Sequence, residues 1–457
     1  MDSGYHGYTD LNIELYRTQS RMEIKMSWEL KEGDKIKTDS GEIVEVISEL
    51  GSGGQGAVYK AMYKGKMHAL KWYNLSTNAH KKEFKKNLYA LVKKGAPHES
   101  FAWPLEMTES RNGTYGYVME LIPKEYREFK EYLNVLVHFK TVEARITAAL
   151  QIVESFRILH NKGYSYQDIN DGNFFINPET GDVKICDNEN VAPYGMGFGI
   201  QGKSRYMAPE IVMGLKYPDI HTDRFSLAVV LFMLLYMEHP LEGKNTNQTC
   251  LIGGIEKQIF GKDACFCMDP KDASNRPQSD VHKNLFLLWD FYPRYIQELF
   301  EETFSKQRLT GDKTESRIIE QRWNKDLLRL RQQLIVCDCG DEYFLRSDDI
   351  VCESCGNKLR TGMYLQVKEN DFALYEGKKL FMSDLRTSCH EMHRVVGVVI
   401  ENPTNKGEFG LMNCSGEAWR YSRPDGSEAV VPAGGGVGLS PGGELEIEGK
   451  IVQIKER

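Results

Sequence analysis

The chain has few prolines, no long hydrophobic segment and no excess of positive charge. Fifteen prolines in 457 residues, with 41% apolar and 27% charged residues, are typical of an ordinary globular protein. The longest apolar run, residues 225–237, is too short to span a bilayer and is typical of a buried helix. The formal net charge is −7, so no overall basic field recruits nucleic acid or anionic lipid. We therefore expect neither nucleic acid nor a membrane as a partner.

The N-terminus also lacks a basic segment followed by an apolar one, which is the pattern of an export signal. We therefore expect a cytoplasmic protein. In that reducing compartment, the ten cysteines indicate metal ligands or buried thiols rather than disulfides. The length leaves room for about three domains. We assign residues 1–40, which begin with a polar, tyrosine-rich stretch at 1–27, to an N-terminal extension.

The stretch GYSYQDINDGNFFI, at residues 163–176, is the most informative part of the chain. It contains Asp168 and, five residues later, Asn173; Asp187 follows the apolar segment VKIC at 183–186. One carboxylate can accept a hydroxyl proton, while the amide and the other carboxylate hold Mg²⁺ against a triphosphate. The pattern resembles the protein-kinase catalytic loop, H-R-D-L-x-x-x-N, with the metal-binding aspartate of D-F-G downstream.

A glycine-rich segment, GSGGQGAVYKA at residues 51–61, precedes that stretch. Gly51, Gly53 and Gly56 have G-x-G-x-x-G spacing, and Val58 follows. Glycines allow a hairpin to lie close over phosphates, so that backbone amides reach their oxygens. Dinucleotide-binding folds use the same spacing, but here a strand follows rather than a helix, which favours the kinase hairpin.

The kinase resemblance implies further nucleotide contacts on the next strands. HALK supplies Ala69 as a small wall for adenine and Lys71 as a cation for the phosphates. In GTYGYVMELI, residues 113–122, Met119 is the expected gatekeeper. The backbones of Glu120 and Ile122 are expected to bind the adenine edge.

A helix predicted at residues 77–94 should carry the glutamate that pairs with Lys71 in this family. Glu83 is the only acidic residue of that helix, whereas alignment of its leucine-rich end places Asn87 in the glutamate position. The two residues are four apart and share a face. We favour Glu83, with absence of the ion pair as the alternative. Further helices are predicted at residues 124–137 and 141–162.

The catalytic segment departs from the family pattern at several positions. Gln167 replaces the family arginine, so phosphorylation of the activation loop is not the expected switch. Asn170 replaces the lysine that helps to neutralise the transferred phosphoryl group, and the metal motif reads Asp-Asn-Glu from Asp187. We hypothesise that Lys203 supplies the cation lost at Asn170; a solvent-facing lysine is the alternative.

Three residues farther along the chain match structural positions of the family. GKSRYMAPE, residues 202–210, resembles the end of an activation segment, and its Glu210 is expected to pair with Arg317. Asp223 is expected in the first turn of the long apolar helix, where it would brace the catalytic loop. These matches predict a protein substrate rather than a small molecule.

The cysteines beyond residue 334 form a regular pattern. Cys337 and Cys339 form a C-x-C turn, and Cys352 and Cys355 form a C-x-x-C turn, each followed by glycine. Two such turns bring four thiolates within reach of Zn²⁺, so residues 335–361 resemble a structural zinc ribbon; a redox pair is the alternative. We interpret Cys265 and Cys267 as core thiols, because no second cysteine pair lies nearby in the sequence.

The remaining residues, 362–457, alternate short strands with turns and predict a small β-sandwich. Residues 410–449 loosely resemble a forkhead-associated domain, a reader of phosphothreonine, although the Ser-x-x-His signature of its binding loops is not apparent. A sandwich that docks a partner or the kinase itself is the alternative.

Together these features predict an α+β protein: a bilobal protein kinase fold at residues 41–334, with its N-lobe ending near 122, then the zinc ribbon and the sandwich. The resemblance implies a bacterial Ser/Thr protein kinase that uses ATP, Mg²⁺ and structural Zn²⁺, with Asp168, Lys71, Asn173 and Asp187 as its catalytic residues. A nucleotide-binding pseudokinase scaffold and an AMP transferase are the alternatives. Phosphatases and von Willebrand-type proteins are the partners that the resemblance implies.

Overall fold

The N-terminal lobe is built on one antiparallel sheet of six strands. The computed structural model describes residues 28–197, 202–247, 253–345, 350–359, 362–386 and 393–456, so the stretch at 1–27 lies outside the described residues. The strand order is β1-β2-β3-β4-β6-β5. The strands are β1 Lys35–Lys37, β2 Ile43–Gly53, β3 Gly56–Tyr63, β4 Lys66–Tyr73, β5 Pro104–Met107 and β6 Gly116–Glu120.

One helix packs against this sheet. Helix α1, Lys82–Lys94, buries Phe84, Leu88 and Leu91, which lie three and four residues apart and so share one face. It begins later than the predicted residue 77, because Asn78–His80 form a separate 3₁₀ turn.

Helices form most of the C-terminal lobe. They are α2 Phe129–Leu133, α3 Val142–Asn161, α4 Pro209–Val212, α5 Ile220–Tyr236, α6 Gly253–Lys257, α7 Lys283–Leu288, α8 Arg294–Thr303, α9 Lys306–Leu309 and α10 Glu320–Gln332. Helix α5 is apolar and buried on nearly every side, as a central core helix is. Asp219 begins it by accepting a hydrogen bond from the Thr222 amide at 2.9 Å. Among the described helices, none is both long and apolar enough to cross a bilayer.

Short strands carry the stretch that the sequence marks as catalytic. They are β7 Arg127–Glu128, β8 Tyr164–Ser165, β9 Phe174–Ile176, β10 Val183–Ile185 and β11 Ala192–Pro193. Strand β9 pairs with β10 and also with β7. The predicted helix at 124–137 is therefore wrong over much of its length. Arg127–Glu128 form β7 and pair with β9, and α2 covers only five residues.

Two thiols of this lobe differ in their environment. Cys267 is fully buried, as predicted for a core thiol, whereas Cys265 is only partly buried. Burial raises the pKa of the Cys267 thiol far above its ordinary value, so it stays protonated at neutral pH.

The chain beyond α10 forms a short hairpin and then two further sheets. Strands β12 Leu334–Val336 and β13 Glu342–Phe344 make the hairpin. One sheet has the order β15-β14-β23-β22-β19-β20 and the other β16-β17-β18-β21. The strands are β14 Met363–Val367, β15 Asn370–Ala373, β16 Lys379–Phe381, β17 Val395–Glu401, β18 Phe409–Asn413, β19 Trp419–Ser422, β20 Glu428–Val431, β21 Gly436–Gly438, β22 Glu444–Ile447 and β23 Lys450–Glu456. A one-turn helix, α11 Met382–Leu385, follows β16.

These two sheets share one hydrophobic core. Leu365 and Leu445 from the first sheet lie in one buried cluster with Val399 and Leu411 from the second. Trp419, which is also buried there, lies so close to Gly397 that a Cβ on this glycine would lie 3.1 Å from the indole ring. The sheets therefore pack face to face, the arrangement of a β-sandwich.

Buried polar contacts join these sheets to the helical lobe. The Lys378 ammonium donates hydrogen bonds to the carbonyl oxygens of Gln332 and Leu334, both at 2.7 Å, at the end of α10. Arg331 contacts Ser383 at 2.8 Å and Asp384 at 3.1 Å. Because all these groups are buried, each needs its partner, and the contacts fix the sheets against α10.

Candidate active site

A cleft of about 670 Å³ lies between the six-stranded sheet and the helical lobe. It is lined by twelve of the residues that the sequence indicated for nucleotide binding or catalysis, but not by Glu83 or Lys203. The twelve are Gly51, Gly53, Gly56, Val58, Ala69, Lys71, Met119, Glu120, Ile122, Asp168, Asn173 and Asp187. The fold therefore brings together residues that are separated by more than a hundred positions in the chain.

The glycine-rich segment is the hairpin between β2 and β3. Gly53 pairs with Gly56 at its tip. A Cβ at Gly56 would lie 2.1 Å from the carbonyl oxygen of Trp72 on β4, so no side chain fits there, whereas Gly51 and Gly53 face open space. The hairpin thus packs tightly on β4 and leaves its other backbone free to approach a ligand.

The back wall of the cleft comes from β4 and β6. Ala69 and Met119 lie opposite each other on these strands and both are buried. The Glu120 carboxylate pairs with Lys184 of β10 at 3.0 Å. This contact ties the segment between the lobes to the short strands beneath the cleft.

Lys71 is buried in this wall and faces two carboxylates. Its Nζ lies 2.8 Å from Asp187 Oδ1 and also contacts Glu189 Oε1. Burial alone would lower the pKa of Lys71, but the two carboxylates outweigh it and hold the pKa above its ordinary value. The ammonium is therefore charged throughout the physiological range.

The predicted glutamate of α1 is not beside Lys71. Glu83 is exposed, and the buried Asn87 donates a hydrogen bond to the Val191 carbonyl at 2.7 Å. The carboxylate that meets Lys71 instead is Glu189, which the sequence interpretation missed. The available signal was Glu189 itself, which places a carboxylate at the glycine position of the family's D-F-G motif. The lack of a well-placed glutamate on α1 was the second part of that signal.

Asp168 lies partly buried at the floor of the cleft between two amides. The Asn170 side chain donates to its Oδ1 at 3.1 Å and the Asn190 side chain to its Oδ2 at 3.4 Å. Burial, reinforced by the negative charge of Asp187, raises the pKa of Asp168 to about 6. A carboxylate with this pKa can accept a proton near neutral pH.

The two residues indicated as metal ligands are fixed by the loops around Asp168. The Asn173 side chain donates to the Asp168 carbonyl at 2.8 Å, which leaves its amide oxygen available. Asp187 has a left-handed backbone, with φ of 55°. The next residue, Asn188, anchors this turn by donating to the carbonyls of Ala102 and Ile185, both at 2.9 Å. An amide oxygen and a carboxylate are ligands that suit Mg²⁺.

The catalytic loop is braced by Asp223 of α5, as predicted. Its carboxylate accepts hydrogen bonds from the backbone amides of Tyr166, at 2.6 Å, and Gln167, at 3.0 Å. The Gln167 side chain donates to the Met196 carbonyl at 2.6 Å. A neutral amide thus holds the following segment at the position where the family has an arginine.

The predicted pair of Glu210 and Arg317 is confirmed. It is bidentate, with distances of 2.7 and 2.8 Å. The Lys203 ammonium pairs with Asp171, next to Asn170, and remains about half exposed. It therefore lies against the catalytic loop but does not contact Asp168 directly.

A second cluster, of four cysteines, lies apart from the cleft. The sulfurs of Cys337, Cys339, Cys352 and Cys355 all lie within 4.8 Å of one another. Cross-hairpin pairs are 3.5 Å apart, near the separation of about 3.8 Å expected for thiolates around tetrahedral zinc. Each turn closes with a glycine at positive φ, Gly340 at 100° and Gly356 at 74°. The donor set therefore fits a structural Zn²⁺.

Comparison with known proteins agrees with this geometry. The family model "Protein kinase domain" matches residues 44–310. A 104-residue region, 22% of this chain, is 32% identical to protein kinase C delta type of Mus musculus and spans 15% of that protein. A 219-residue region, 44% of this chain, is 26% identical to the serine/threonine-protein kinase STE20 of Debaryomyces hansenii and spans 18% of it.

A third relative is a putative mitogen-activated protein kinase kinase kinase 7-like protein of Drosophila melanogaster, 28% identical over 226 residues. That match covers 46% of this chain and 54% of the relative, so the chain spans about half or less of the length of these relatives. Since the family model covers more than half of the chain and the cleft holds the residues of its motifs, the chain belongs to the protein kinase family.

Proposed function

We propose that this chain is a protein kinase that transfers the γ-phosphoryl group of Mg·ATP to serine or threonine hydroxyls of proteins, itself included. The observation that carries the proposal is the convergence of Lys71, Asp168, Asn173 and Asp187 in one cleft. The names of the serine/threonine kinases to which it is similar add support.

Each of these residues has a distinct task in the proposed reaction. Asp168 accepts a hydrogen bond from the substrate hydroxyl, orients it and takes its proton. Asn173 and Asp187 hold Mg²⁺, which neutralises charge on the phosphates when it is bound. Lys71 fixes the phosphates. The rate then comes mainly from positioning and charge neutralisation, since phosphoryl transfer asks little covalent chemistry of the protein.

The nucleotide would lie beneath the glycine hairpin. The adenine fits between Ala69 and the floor of the cleft, beside Met119, with the backbones of Glu120 and Ile122 binding its edge. Gly51, Gly53 and Gly56 allow the hairpin to approach the phosphates, and Val58 covers the base and sugar. The lining of the cleft supports this placement.

The cation that the family has at the position of Asn170 would come from Lys203. Its ammonium contacts Asp171 of the same loop, which supports approach from the activation-segment side. We expect Lys203→Ala to lower kcat about tenfold, because one charge-neutralising group is lost. Unchanged turnover in this variant would leave Lys203 as a surface lysine.

A nucleotide-binding scaffold without turnover is the second candidate. It is favoured by the neutral Asn170 amide that contacts Asp168 where the family has a lysine. In that case the cleft would bind ATP and the fold would serve as a platform for partners.

The C-terminal residues add structural parts to the proposed kinase. Residues 335–361 are proposed to bind one structural Zn²⁺ through Cys337, Cys339, Cys352 and Cys355, as their sulfur positions support. For the β-sandwich, the buried contacts of Lys378 and Arg331 support docking on the kinase itself, rather than the forkhead-associated role of reading phosphothreonine.

We place this kinase in cytoplasmic signalling of bacterial type, as the sequence resemblance implies. Phosphatases and von Willebrand-type proteins are its expected partners, since kinases of that type act beside them. Control by phosphorylation of the activation loop is not part of the proposal, because Gln167 offers an amide where a phosphate would need a cation.

Parallel incubations with γ-labelled and α-labelled ATP, Mg²⁺ and a generic protein substrate separate the candidates. Label from the γ position, lost in Asp168→Ala, supports the kinase. ATP binding without transfer to any acceptor supports the scaffold. Label that appears only from the α position would replace the kinase with an AMP transferase.

A further inference from the structure

The carboxylates that face Lys71 both come from the metal-binding turn. Asp187 and Glu189 are two residues apart on that turn and contact the same ammonium. Helix α1, which the family pattern predicts as the source of the glutamate, contributes an exposed Glu83 and an Asn87 bound to a backbone carbonyl. In the described part of the chain, the negative charge opposite Lys71 therefore comes from the turn and not from the helix.

Glu189 is completely buried, and both of its carboxylate oxygens are used. Oε1 contacts Lys71, and Oε2 accepts a hydrogen bond from the Tyr117 hydroxyl at 2.7 Å. Lys71 on β4 and Tyr117 on β6 are directly opposite each other in the sheet. One carboxylate thus joins the metal-binding turn to two neighbouring strands of the N-terminal lobe.

The two carboxylates are not equivalent. The Asp187 side chain is 37% exposed and lines the cleft, whereas that of Glu189 is fully enclosed. A buried carboxylate is costly unless it is paired, so Glu189 depends on Lys71. Asp187 remains free to turn towards a metal ion, because Glu189 keeps the lysine paired.

We propose that Glu189 is the positioning residue for Lys71 and replaces the helix glutamate of the family. Lys71 and the metal ligand Asp187 are then held by the same short turn, and the ion pair needs no charge from α1. Helix α1 then supports this turn through the hydrogen bond from Asn87 to the Val191 carbonyl rather than through a charge. The catalytic consequence rests on the proposed function; the pairing itself does not.

The first test compares Glu189→Gln with the matched change Glu83→Gln in the full chain. The glutamine keeps the size of the side chain, but it removes the charge and replaces one of the two acceptor oxygens with a donor NH₂ group. We expect kcat/KM for ATP to fall about 10- to 100-fold in E189Q and to stay within about twofold of the wild type in E83Q. Equal activity of E189Q and the wild type, or loss in E83Q alone, would overturn the proposal.

The second test needs no turnover. Lys71→Met leaves Glu189 as an unpaired buried carboxylate, and adding E189Q removes that charge. We therefore expect K71M to melt several degrees below the K71M/E189Q double variant. A double variant that melts at or below K71M would overturn the proposal, and the comparison holds even if E189Q alone folds poorly.

The two tests also separate this inference from the proposed function. If the wild type binds ATP and transfers no phosphoryl group, the kinase activity is wrong, while rescue of K71M by E189Q still establishes the pairing. If the wild type is active and the rescue is absent, the kinase stands and the role of Glu189 is wrong.

Discussion

At the scale of single residues, the environment of Asp168 predicts how activity depends on pH. Two neutral amides flank this carboxylate, and burial with the nearby Asp187 charge raises its pKa to about 6. The general base must be ionised to accept a proton. We therefore expect kcat/KM to fall as pH decreases through about 6, measured from initial rates between pH 5 and 8.

The variant Asn170→Lys tests whether ionisation of Asp168 causes this fall of kcat/KM at acidic pH. A cation beside Asp168 stabilises its ionised form and lowers its pKa. The acid limb, which is the fall of kcat/KM towards acidic pH, should therefore move to lower pH. Asn134→Lys, at an exposed position on α2's C-terminal side, adds the same charge elsewhere and should leave the limb in place. A limb that does not move in N170K would contradict the assignment of Asp168 as the base.

At the scale of elements, His160 joins three helices of the C-terminal lobe. From α3 it contacts Asp223 of α5 at 3.0 Å and Glu320 of α10 at 2.8 Å. Burial alone would lower the pKa of His160, but the two carboxylates outweigh it and raise the pKa to about 9. Contact with His160 and with Arg224 lowers the pKa of Glu320 to about 2 despite its burial.

This network predicts a loss of stability at alkaline pH. The folded-state pKa of His160 is above its ordinary value of 6.5, so its contribution is complete below about pH 6.5 and is lost as pH rises through about 9. The contribution is on the order of 3 kcal/mol. Urea unfolding should show a large difference between the wild type and His160→Gln at pH 6 and a small one at pH 9.5. A difference independent of pH would argue against a charged His160.

Motif order was enough to predict which residues meet in the cleft, but it did not predict the partner of Lys71. Glycine spacing and the strand after it mark the hairpin, and Asp168, Asn173 and Asp187 follow at fixed intervals. The partner depends on how α1 packs, and there Asn87 is buried against Val191. Sequence spacing within a helix cannot show whether either of two residues on one face reaches the lysine.

Pairing between distant segments set a second limit on how much of the fold could be predicted from the sequence. Residues 124–128 have helix-forming side chains, but β7 lies beside β9 and takes its hydrogen bonds there, so the context overrides local preference. In the C-terminal sheets the turns mark where strands end, whereas the order β15-β14-β23-β22-β19-β20 joins the first strands to the last. That order depends on long-range packing that no local pattern records.

At the scale of the whole molecule, the cysteine hairpin and the sandwich are tied to the kinase lobe. The Glu342 carboxylate on β13 accepts hydrogen bonds from the backbone amides of Val142, at 2.7 Å, and Glu143, at 3.4 Å, at the start of α3. Lys378 binds the carbonyls that end α10, and burial lowers its pKa to about 7. The hairpin thus caps one kinase helix and the sandwich another.

These contacts predict that loss of the metal lowers the stability of the kinase lobe as well as that of the hairpin. Metal analysis should find one zinc per chain, and Cys352→Ser should lower both the zinc content and the melting temperature, because the hairpin that caps α3 loses its centre. Cys414→Ser changes an exposed cysteine outside the cluster and should alter neither. A zinc-free wild type that melts like C352S would contradict a structural metal.

The most direct test of the central claim is phosphoamino-acid analysis after incubation of the full chain with Mg²⁺ and γ-labelled ATP. We predict labelled phosphoserine or phosphothreonine in the wild type and a loss of at least about 100-fold in Asp168→Ala, since the base and its orienting contact disappear. Bound ATP without any phosphoamino acid, or equal labelling of the variant, would contradict the assignment of this cleft as a Ser/Thr kinase active site.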